Sequence, residues 1–205
     1  MTIRRSVGFL AAAWLGAGCL LVAAPVRADD VIERLSVPGP ITLGGETYRL
    51  AWSSHPSPDY YKQEYMPAGQ SLEHFEQMLL IEALVGYGTV EAAVRGKVAT
   101  LNRRKASDPL VNFALLKNPK TGEAILDFVL GAAGAKGEDV VEWNAYRYAV
   151  LKARDGSAGG VLLIGISRRA YGDASTEFLR ALKSARPTMI DGLAKFPLPV
   201  VRVTP

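Results

Sequence analysis

The segment over residues 59–85 constrains the fold more than any other part of the chain. It begins with aromatic, strand-like sequence and turns at residues 66–69, where Pro67 presets φ and Gly69 can adopt a positive φ. Ser71 then has the side chain of a helix N-cap. Apolar residues recur after it at helical spacing, at Leu72, Phe75, Leu79 and Ala83. The segment therefore predicts a strand, a tight turn and a helix packed on the core.

Three side chains flank this turn and form a first candidate site. Glu64 and Tyr65 precede the turn, and His74 lies in the first turn of the predicted helix. Two interpretations stay open, because these residues either serve packing alone or line a pocket beside the turn. The only other histidine, His55, lies in a loop with two prolines, so no helix carries a histidine pair for a metal. The sequence predicts neither a metal site nor a cofactor.

Residues 1–28 are predicted to be a cleaved signal peptide. Arg4 and Arg5 form a short basic region, and an uncharged apolar run follows from Phe9 to Ala24. Residues 26–28 place small side chains at the −3 and −1 positions of a cleavage site after Ala28. Because the basic and apolar regions are short, they are typical of bacterial export. We therefore expect a periplasmic or secreted protein, with no transmembrane segment after cleavage.

Two variants of this signal are disfavoured. Cys19 follows small residues, as in a lipoprotein signal, but it lacks the usual apolar residue three positions earlier and apolar sequence continues after it. The residues after Arg4 and Arg5 fit a twin-arginine signal poorly. General secretion without lipidation is therefore the prediction.

Removal of the signal peptide changes the charge of the protein. The chain has 24 basic and 20 acidic residues, and residues 1–28 contain three arginines and no acid. The remaining 21 basic and 20 acidic residues give a net charge of +1, which does not favour nucleic acid as a partner. Cys19 is the only cysteine, so the mature chain has no disulfide, cysteine nucleophile or thiolate-bound metal.

The rest of the sequence predicts one α+β domain over residues 29–205. A strand over 46–53 would form a hairpin with the strand over 59–66, and Thr89 would cap a second helix. Four further strands are predicted at residues 110–117, 124–130, 140–153 and 161–167.

A third helix and an extended tail complete the predicted domain. Asp173 or Ser175 would cap the helix, Pro187 would kink or restart it, and the tail begins at Pro197. Strands and helices occur in runs, which favours an antiparallel sheet, built from the hairpin and a four-strand meander and covered by about three helices. This order of elements resembles the α/β/α sandwich of PsbP and Mog1, and the resemblance concerns the fold alone.

A short motif carries a second resemblance. The sequence Glu64-Tyr65-Met66-Pro67-Ala68-Gly69-Gln70, followed by Phe75-Glu76-Gln77-Met78-Leu79, is similar to a motif of small exported bacterial proteins of uncharacterised function. It covers about one tenth of the mature chain and implies no known activity.

Two further groups of residues are candidate binding residues. Tyr146 and Tyr148 share a strand face with polar side chains and could form a contact surface for a partner or ligand. Arg168 and Arg169 end a strand and could hold an anionic group, although a solvated strand end is the ordinary interpretation.

Export, near-neutral charge and the lack of a recognisable catalytic motif favour a non-enzymatic module that binds an envelope protein or envelope component. The first alternative is an acid–base hydrolase with two or more of Glu64, His74 and Asp127 in one cleft. Asp127 lies in an apolar strand, so a cross-strand ion pair with Arg147 is its structural interpretation. The second alternative is a small-ligand carrier, which needs an apolar cavity between the helices and the sheet.

Overall fold

The computed structural model describes residues 31–133, 137–153 and 158–204. The predicted signal peptide, including Cys19, lies outside the described residues. Strands form 45% of the structure and helices 22%. The strands are β1 (Ile41–Leu43), β2 (Glu46–Ser57), β3 (Tyr60–Met66), β4 (Gln77–Val85), β5 (Asn112–Lys117), β6 (Ala124–Ala133), β7 (Asp139–Lys152) and β8 (Ala158–Tyr171). The helices are α1 (Val90–Arg104) and α2 (Ala174–Lys195).

All eight strands of the described chain join one antiparallel sheet in the order β1-β2-β3-β4-β8-β7-β6-β5. The sheet curls into a half-barrel. The predicted fold class is therefore wrong in its proportions, because strands dominate and only two helices occur in the described residues, not about three over a smaller sheet. The missing helix is the one predicted after residue 71.

Residues 77–85 form the central strand β4 instead of that helix. Ser71 does accept a hydrogen bond from the His74 N–H, at 3.3 Å to its Oγ, so the predicted cap forms locally. No helix follows, because β4 pairs along its whole length with β8 and along most of it with β3. Leucine, methionine, alanine and glutamate favour helices in isolation, but burial between two strands overrides that preference.

The other predicted strands are confirmed. β2 and β3 form the expected hairpin, and β5, β6, β7 and β8 form the expected meander. β2 is longer than predicted, because it continues through His55 and Pro56, where the sequence predicted a loop. The tail predicted after Pro197 pairs with an N-terminal segment, with the Arg202 N–H donating to the Leu35 carbonyl at 3.0 Å.

The two other predicted helices are confirmed as well. Thr89 caps α1, and its side chain accepts a hydrogen bond from the Ala92 N–H at 3.1 Å. Asp173 occupies the N-cap position of α2, but its side chain makes no capping hydrogen bond. α2 continues through Pro187 to Lys195, so the proline does not end the helix.

The helices lie on opposite faces of the sheet, which we call the α1 face and the α2 face. The larger core lies on the α2 face and includes Leu79, Ile81, Trp143, Ala145, Ile164, Leu182 and Leu193. The core beneath α1 includes Val94, Leu101, Leu126, Phe128, Tyr148 and Leu163. Because side chains alternate along a strand, β4, β7 and β8 contribute to both faces.

Candidate functional site

A group of charged and phenolic side chains lies on the α1 face around Glu82. The strand register places Lys62 of β3 directly opposite Glu82 of β4. Leu163 of β8 separates Glu82 from Tyr148 in the same row. The group, which we call the Glu82 cluster, consists of Tyr60, Lys62, Glu64, Glu82, Lys97, Glu142, Tyr146, Tyr148 and Arg169. It holds three carboxylates and three cationic groups, so its formal charge is zero.

Glu82 is a buried carboxylate at the middle of this cluster, with 9% of its surface exposed. The Tyr60 hydroxyl donates a hydrogen bond to its Oε2 at 2.8 Å. Burial raises the pKa of Tyr60 well above its ordinary value, and the Glu82 carboxylate raises it further. Tyr60 therefore stays protonated and acts as a fixed donor to the carboxylate.

Two ion pairs border the cluster. The Lys62 ammonium lies 2.5 Å from a Glu64 oxygen. Burial alone would lower the pKa of Lys62, but the Glu82 and Glu64 carboxylates raise it above its ordinary value. At the other end, Arg169 pairs with Glu142. These four charged side chains neutralise one another.

Lys97 of α1 differs from the other cations of the cluster. Its side chain is half-buried, and it forms no ion pair with any residue that the structure describes. The ammonium instead lies over two aromatic rings, 4.8 Å from the Phe128 centroid and 5.8 Å from the Tyr146 centroid. Burial lowers the pKa of Lys97, while the Glu82 and Glu142 carboxylates oppose that shift. The geometry therefore leaves one amine without a paired carboxylate.

Tyr146 lies directly over Gly165 of β8. A Cβ at position 165 would be 2.7 Å from Cε1 of the Tyr146 ring, so the glycine allows the ring to approach the sheet. Within the described residues, the hydroxyls of Tyr146 and Tyr148 have no hydrogen-bond partner. The buried Ser167 hydroxyl on the same face also has none. The cluster thus contains several donors that remain free.

The structure brings some of the sequence-predicted residues together and separates others. Glu64, Tyr146, Tyr148 and Arg169 all belong to the Glu82 cluster. Arg168 faces the opposite side of the sheet, where its Nη1 lies 3.6 Å from Sδ of a methionine in α2.

Glu64 and Tyr65, which were expected to line one pocket beside the 66–69 turn, point to opposite faces of β3. Tyr65 is fully buried on the α2 face, and its hydroxyl donates to the Val37 carbonyl at 2.5 Å. The His74 ring stacks on Tyr171, with 3.9 Å between the ring centroids, and it lies outside the cluster. Tyr65 therefore packs in the core, whereas His74 lies at the surface against Tyr171.

The carboxylates expected in a hydrolase are scattered over the sheet. Asp127 lies on the α2 face, opposite to Glu64, so these two carboxylates do not share a cleft. The predicted partner of Asp127 is also wrong. Arg186 of α2 binds Asp127 through two hydrogen bonds of 2.6 and 2.9 Å, whereas Arg147 pairs with Glu123. The positive charge that neutralises Asp127 therefore comes from α2, a helix that the sequence predicted only to cover the sheet.

The sequence interpretation missed Glu82 and Lys97, the two charged groups of the cluster that form no ion pair with a described residue. Glu82 interrupts an apolar run, and a lone charge in such a run is the signal that could have identified it. That signal was lost because the run was assigned to a helix. Lys97 gave no signal, since it lies between the stripe residues of α1 as any surface lysine would.

A second region of interest is the outer edge of β5. Among the described residues β5 pairs only with β6, so it ends the sheet. The Asn118 N–H donates to the Glu123 carbonyl at 2.9 Å, and hydrogen-bonded pairs alternate along an antiparallel ladder. The backbone groups of Phe113, Leu115 and Lys117 therefore point away from β6. These groups are free to pair with another strand.

Clefts flank this edge on both faces. The larger, of about 830 Å³, lies between α2 and the sheet and is lined by Ala114 and Leu116 of β5. The smaller, of about 460 Å³, lies between α1 and the sheet and is lined by Leu115. Leu115 is 38% exposed and Leu116 is 48% exposed. Apolar side chains of β5 therefore face open space alternately on the two sides.

The charge around this edge is positive. Lys117 lines both clefts and Lys183 lines the larger, and neither forms an ion pair with a described residue. The acidic groups that line the clefts already have partners. Asp127 and Glu123 pair with arginines, and Asp191 pairs with Lys195 at 2.7 Å.

A protein-family model matches residues 35–198. The chain belongs to this family, which is uncharacterised. The match supports the assignment to an uncharacterised family, but neither the motif nor the similarity to PsbP and Mog1 is confirmed. No curated protein and no solved structure matches the chain.

Two properties of the described residues concern membranes and metal ions. Neither α1 nor α2 combines the length and apolar character needed to span a membrane. Nowhere in residues 31–133, 137–153 and 158–204 do three or more His, Cys, Asp or Glu side chains gather in a way that could hold a metal ion.

Proposed function

We propose that the protein is an exported, non-enzymatic binding module that takes an extended segment of an envelope protein at the outer edge of β5. The predicted signal peptide supports the location. The single observation that carries the proposal is a free sheet edge with a cleft on each of its faces. An added strand would pair with the outward backbone groups of β5, and its alternate side chains would enter the two clefts.

The charge at the edge favours a partner over a second copy of the chain. Two copies joined through β5 would bring their unpaired Lys117 and Lys183 side chains together, which is unfavourable. An extended segment with alternating apolar residues and at least one acidic residue fits both the clefts and the lysines. That is the chemistry we assign to the partner.

A displayed library of random ten-residue peptides, selected on the mature chain, tests this proposal. We expect enriched peptides to alternate apolar residues and to contain an acidic residue. Their binding should fall about tenfold with Lys117→Glu, because an attractive charge pair becomes repulsive. Lys120→Glu is the matched control, since Lys120 is also exposed, in the adjacent turn, but lines neither cleft.

A second variant tests the backbone pairing. Leu115→Pro removes an outward N–H without removing a hydrogen bond to β6, and edge strands tolerate proline at such positions. We expect this variant to keep its circular dichroism spectrum and to lose peptide binding. Enrichment of no peptide, or equal binding by the wild type and both edge variants, would overturn the proposal.

A small apolar ligand in the larger cleft is the second candidate. The observation that favours it is the position of that cleft between α2 and the sheet, where a carrier needs its cavity. Native mass spectrometry of protein purified from its own host tests it. A retained small molecule that is lost with Leu116→Glu supports the carrier, and an unaccompanied protein mass contradicts it.

A further inference from the structure

We propose that Lys97 is a nucleophilic amine that condenses with small neutral aldehydes on the α1 face of the sheet. The site is independent of the β5 edge. It follows from the position of one amine among groups that can exchange protons with it.

The first argument is the lack of a paired carboxylate. Lys62 and Arg169 each have a carboxylate partner in the cluster, whereas Lys97 pairs with no carboxylate of the described residues and lies over two aromatic rings. An ammonium held by a carboxylate keeps its proton, and its nitrogen lone pair is not available to attack a carbonyl. Lys97 is the cluster amine without that restriction.

The second argument is the set of groups around it. Tyr146 carries a hydroxyl without a partner and lies beneath the Lys97 ammonium, and Tyr148 follows it on the same face. Burial raises the pKa of Tyr146 and of Tyr148 well above the ordinary value, so both hydroxyls stay protonated at neutral pH. Glu82 is the nearby carboxylate that can accept a proton.

The class of substrate follows from charge and surroundings. The Glu82 cluster is formally neutral, and its other two cations are already paired. It therefore offers no excess positive charge for a phosphate or a carboxylate. Aromatic rings beneath the amine favour a neutral carbonyl compound with a small apolar group.

The reaction is a condensation without a redox step. The Lys97 nitrogen adds its lone pair to the carbonyl carbon, and the carbonyl oxygen takes a proton from a tyrosine hydroxyl. The nitrogen gives up a proton to Glu82, and the carbinolamine then loses water to form a C=N bond. One amine and one aldehyde thus give one imine and one water, and proton return restores the tyrosine and Glu82.

The electrostatic surroundings agree with this assignment. Burial lowers the pKa of Lys97, and the Lys62 and Arg104 cations add to the shift, against Glu82 and Glu142. The uncharged fraction of an amine rises about tenfold for each unit by which its pKa falls. We therefore expect Lys97 to react at a lower pH than an exposed lysine.

Reductive trapping tests the proposal within a single folded sample. Propanal with sodium cyanoborohydride converts each imine to a stable alkylated lysine, and peptide mapping gives a rate for every lysine between pH 6 and 9. Lys105 is the matched control, because it also lies over an aromatic ring, 4.7 Å from the Phe113 centroid, but is exposed. Lys62 is the control with a carboxylate partner.

We expect Lys97 to be alkylated about tenfold faster than Lys105 or Lys62 at pH 7, and the preference to vanish in urea. A Lys97 rate equal to or below that of Lys105 in the folded protein would overturn the proposal. Tyr146→Phe removes the hydroxyl that would donate the proton and keeps the aromatic ring beneath Lys97. It should slow alkylation of Lys97 several-fold and leave the Lys105 rate and the far-ultraviolet spectrum unchanged.

Discussion

The two faces of the sheet use the same strands for different purposes. On β7, Trp143 and Ala145 face α2 and are fully buried, whereas Asn144 and Tyr146 face the Glu82 cluster. On β4, Ile81 lies in the larger core while its neighbour Glu82 carries the central charge. A period of two allows one buried strand to support a core and a polar site at once.

The faces also differ in how their charges are neutralised. On the α2 face, Asp127 pairs with Arg186, and Glu123 pairs with Arg147. On the α1 face, Glu82 and Lys97 remain without an ion pair among the described residues. The α1 face also holds two completed pairs, so what sets it apart is the two unpaired groups at a partly covered surface, which are available for chemistry. The α2 face should dominate stability because it holds the larger core.

Truncation of one large side chain on each face of β7 gives the largest expected effect. Trp143→Ala should lower the free energy of unfolding by about 3–5 kcal/mol, because it opens a cavity in the core and removes the indole hydrogen bond to Asp127. Tyr146→Ala should cost about 1–3 kcal/mol, since the ring is only half-buried, at the edge of the smaller core. Urea unfolding followed by circular dichroism measures both values.

A cost for Tyr146→Ala equal to that for Trp143→Ala would show that both faces act as core. The exposed Trp52, on the α1 face with 39% of its surface accessible, is the control for tryptophan removal. Trp52→Ala should change the unfolding free energy by less than about 1 kcal/mol.

Local sequence patterns were enough to predict the parts of the fold that depend on neighbours in the chain. The apolar stripe of α1, its Thr89 cap and the alternation of side chains along β7 can each be recognised within a short stretch of sequence, and all are confirmed. Residues 77–85 are different, because their strand depends on pairing with β8, far away in the sequence. The helical preference of these residues led to the wrong prediction of a helix, and Glu82 was therefore not recognised as a candidate residue.

The two candidate regions differ in the same way. Tyr146 and Tyr148 could be predicted as candidate residues because alternation placed them on a polar strand face. The free edge of β5 could not, since the sequence of β5 does not reveal which strand ends the sheet. Arg186 could not be matched to Asp127 either, because their contact depends on how α2 crosses the sheet.

A smaller effect is expected where the Tyr146 ring packs closely against Gly165 on the α1 face. Gly165→Ala should destabilise the protein by about 1–3 kcal/mol, since the new Cβ would lie 2.7–3.2 Å from three atoms of the Tyr146 ring. The penalty should shrink when Tyr146→Ala is combined with it. Gly192→Ala in α2 is the control, because its Cβ meets no atom within 4 Å and alanine favours the helix. Chemical denaturation of the four variants gives the coupling energy.

Purely additive costs for Gly165→Ala and Tyr146→Ala would contradict the packing of the ring on the glycine. A destabilising Gly192→Ala would show that the measurement reports a general intolerance of alanine and not the contact.

The smallest expected effect is a change in how steeply the free energy of unfolding falls at alkaline pH. Burial raises the pKa of Tyr148 well above 10, and Glu82 adds to the shift, so the folded state keeps a proton that the unfolded state loses above about pH 10. Stability should therefore be unaffected by this group below pH 10 and fall by about 1.4 kcal/mol per pH unit above it. Tyr148→Phe should make the fall of the unfolding free energy above pH 10 shallower by that amount. Urea unfolding at pH 8, 10 and 11 measures the difference.

Tyr48 on the α2 face provides the comparison for this slope. Burial raises its pKa to about 12, and the Glu46 carboxylate contributes to the shift. Tyr48→Phe should also flatten the decline above pH 10, and its effect should level off near pH 12. Glu82→Gln should weaken the alkaline contribution of Tyr148 and leave that of Tyr48 unchanged, because Glu82 acts only on the α1 face. Parallel curves for wild type and Tyr148→Phe would mean that this hydroxyl reaches solvent and that the α1 face is more open than its contacts indicate.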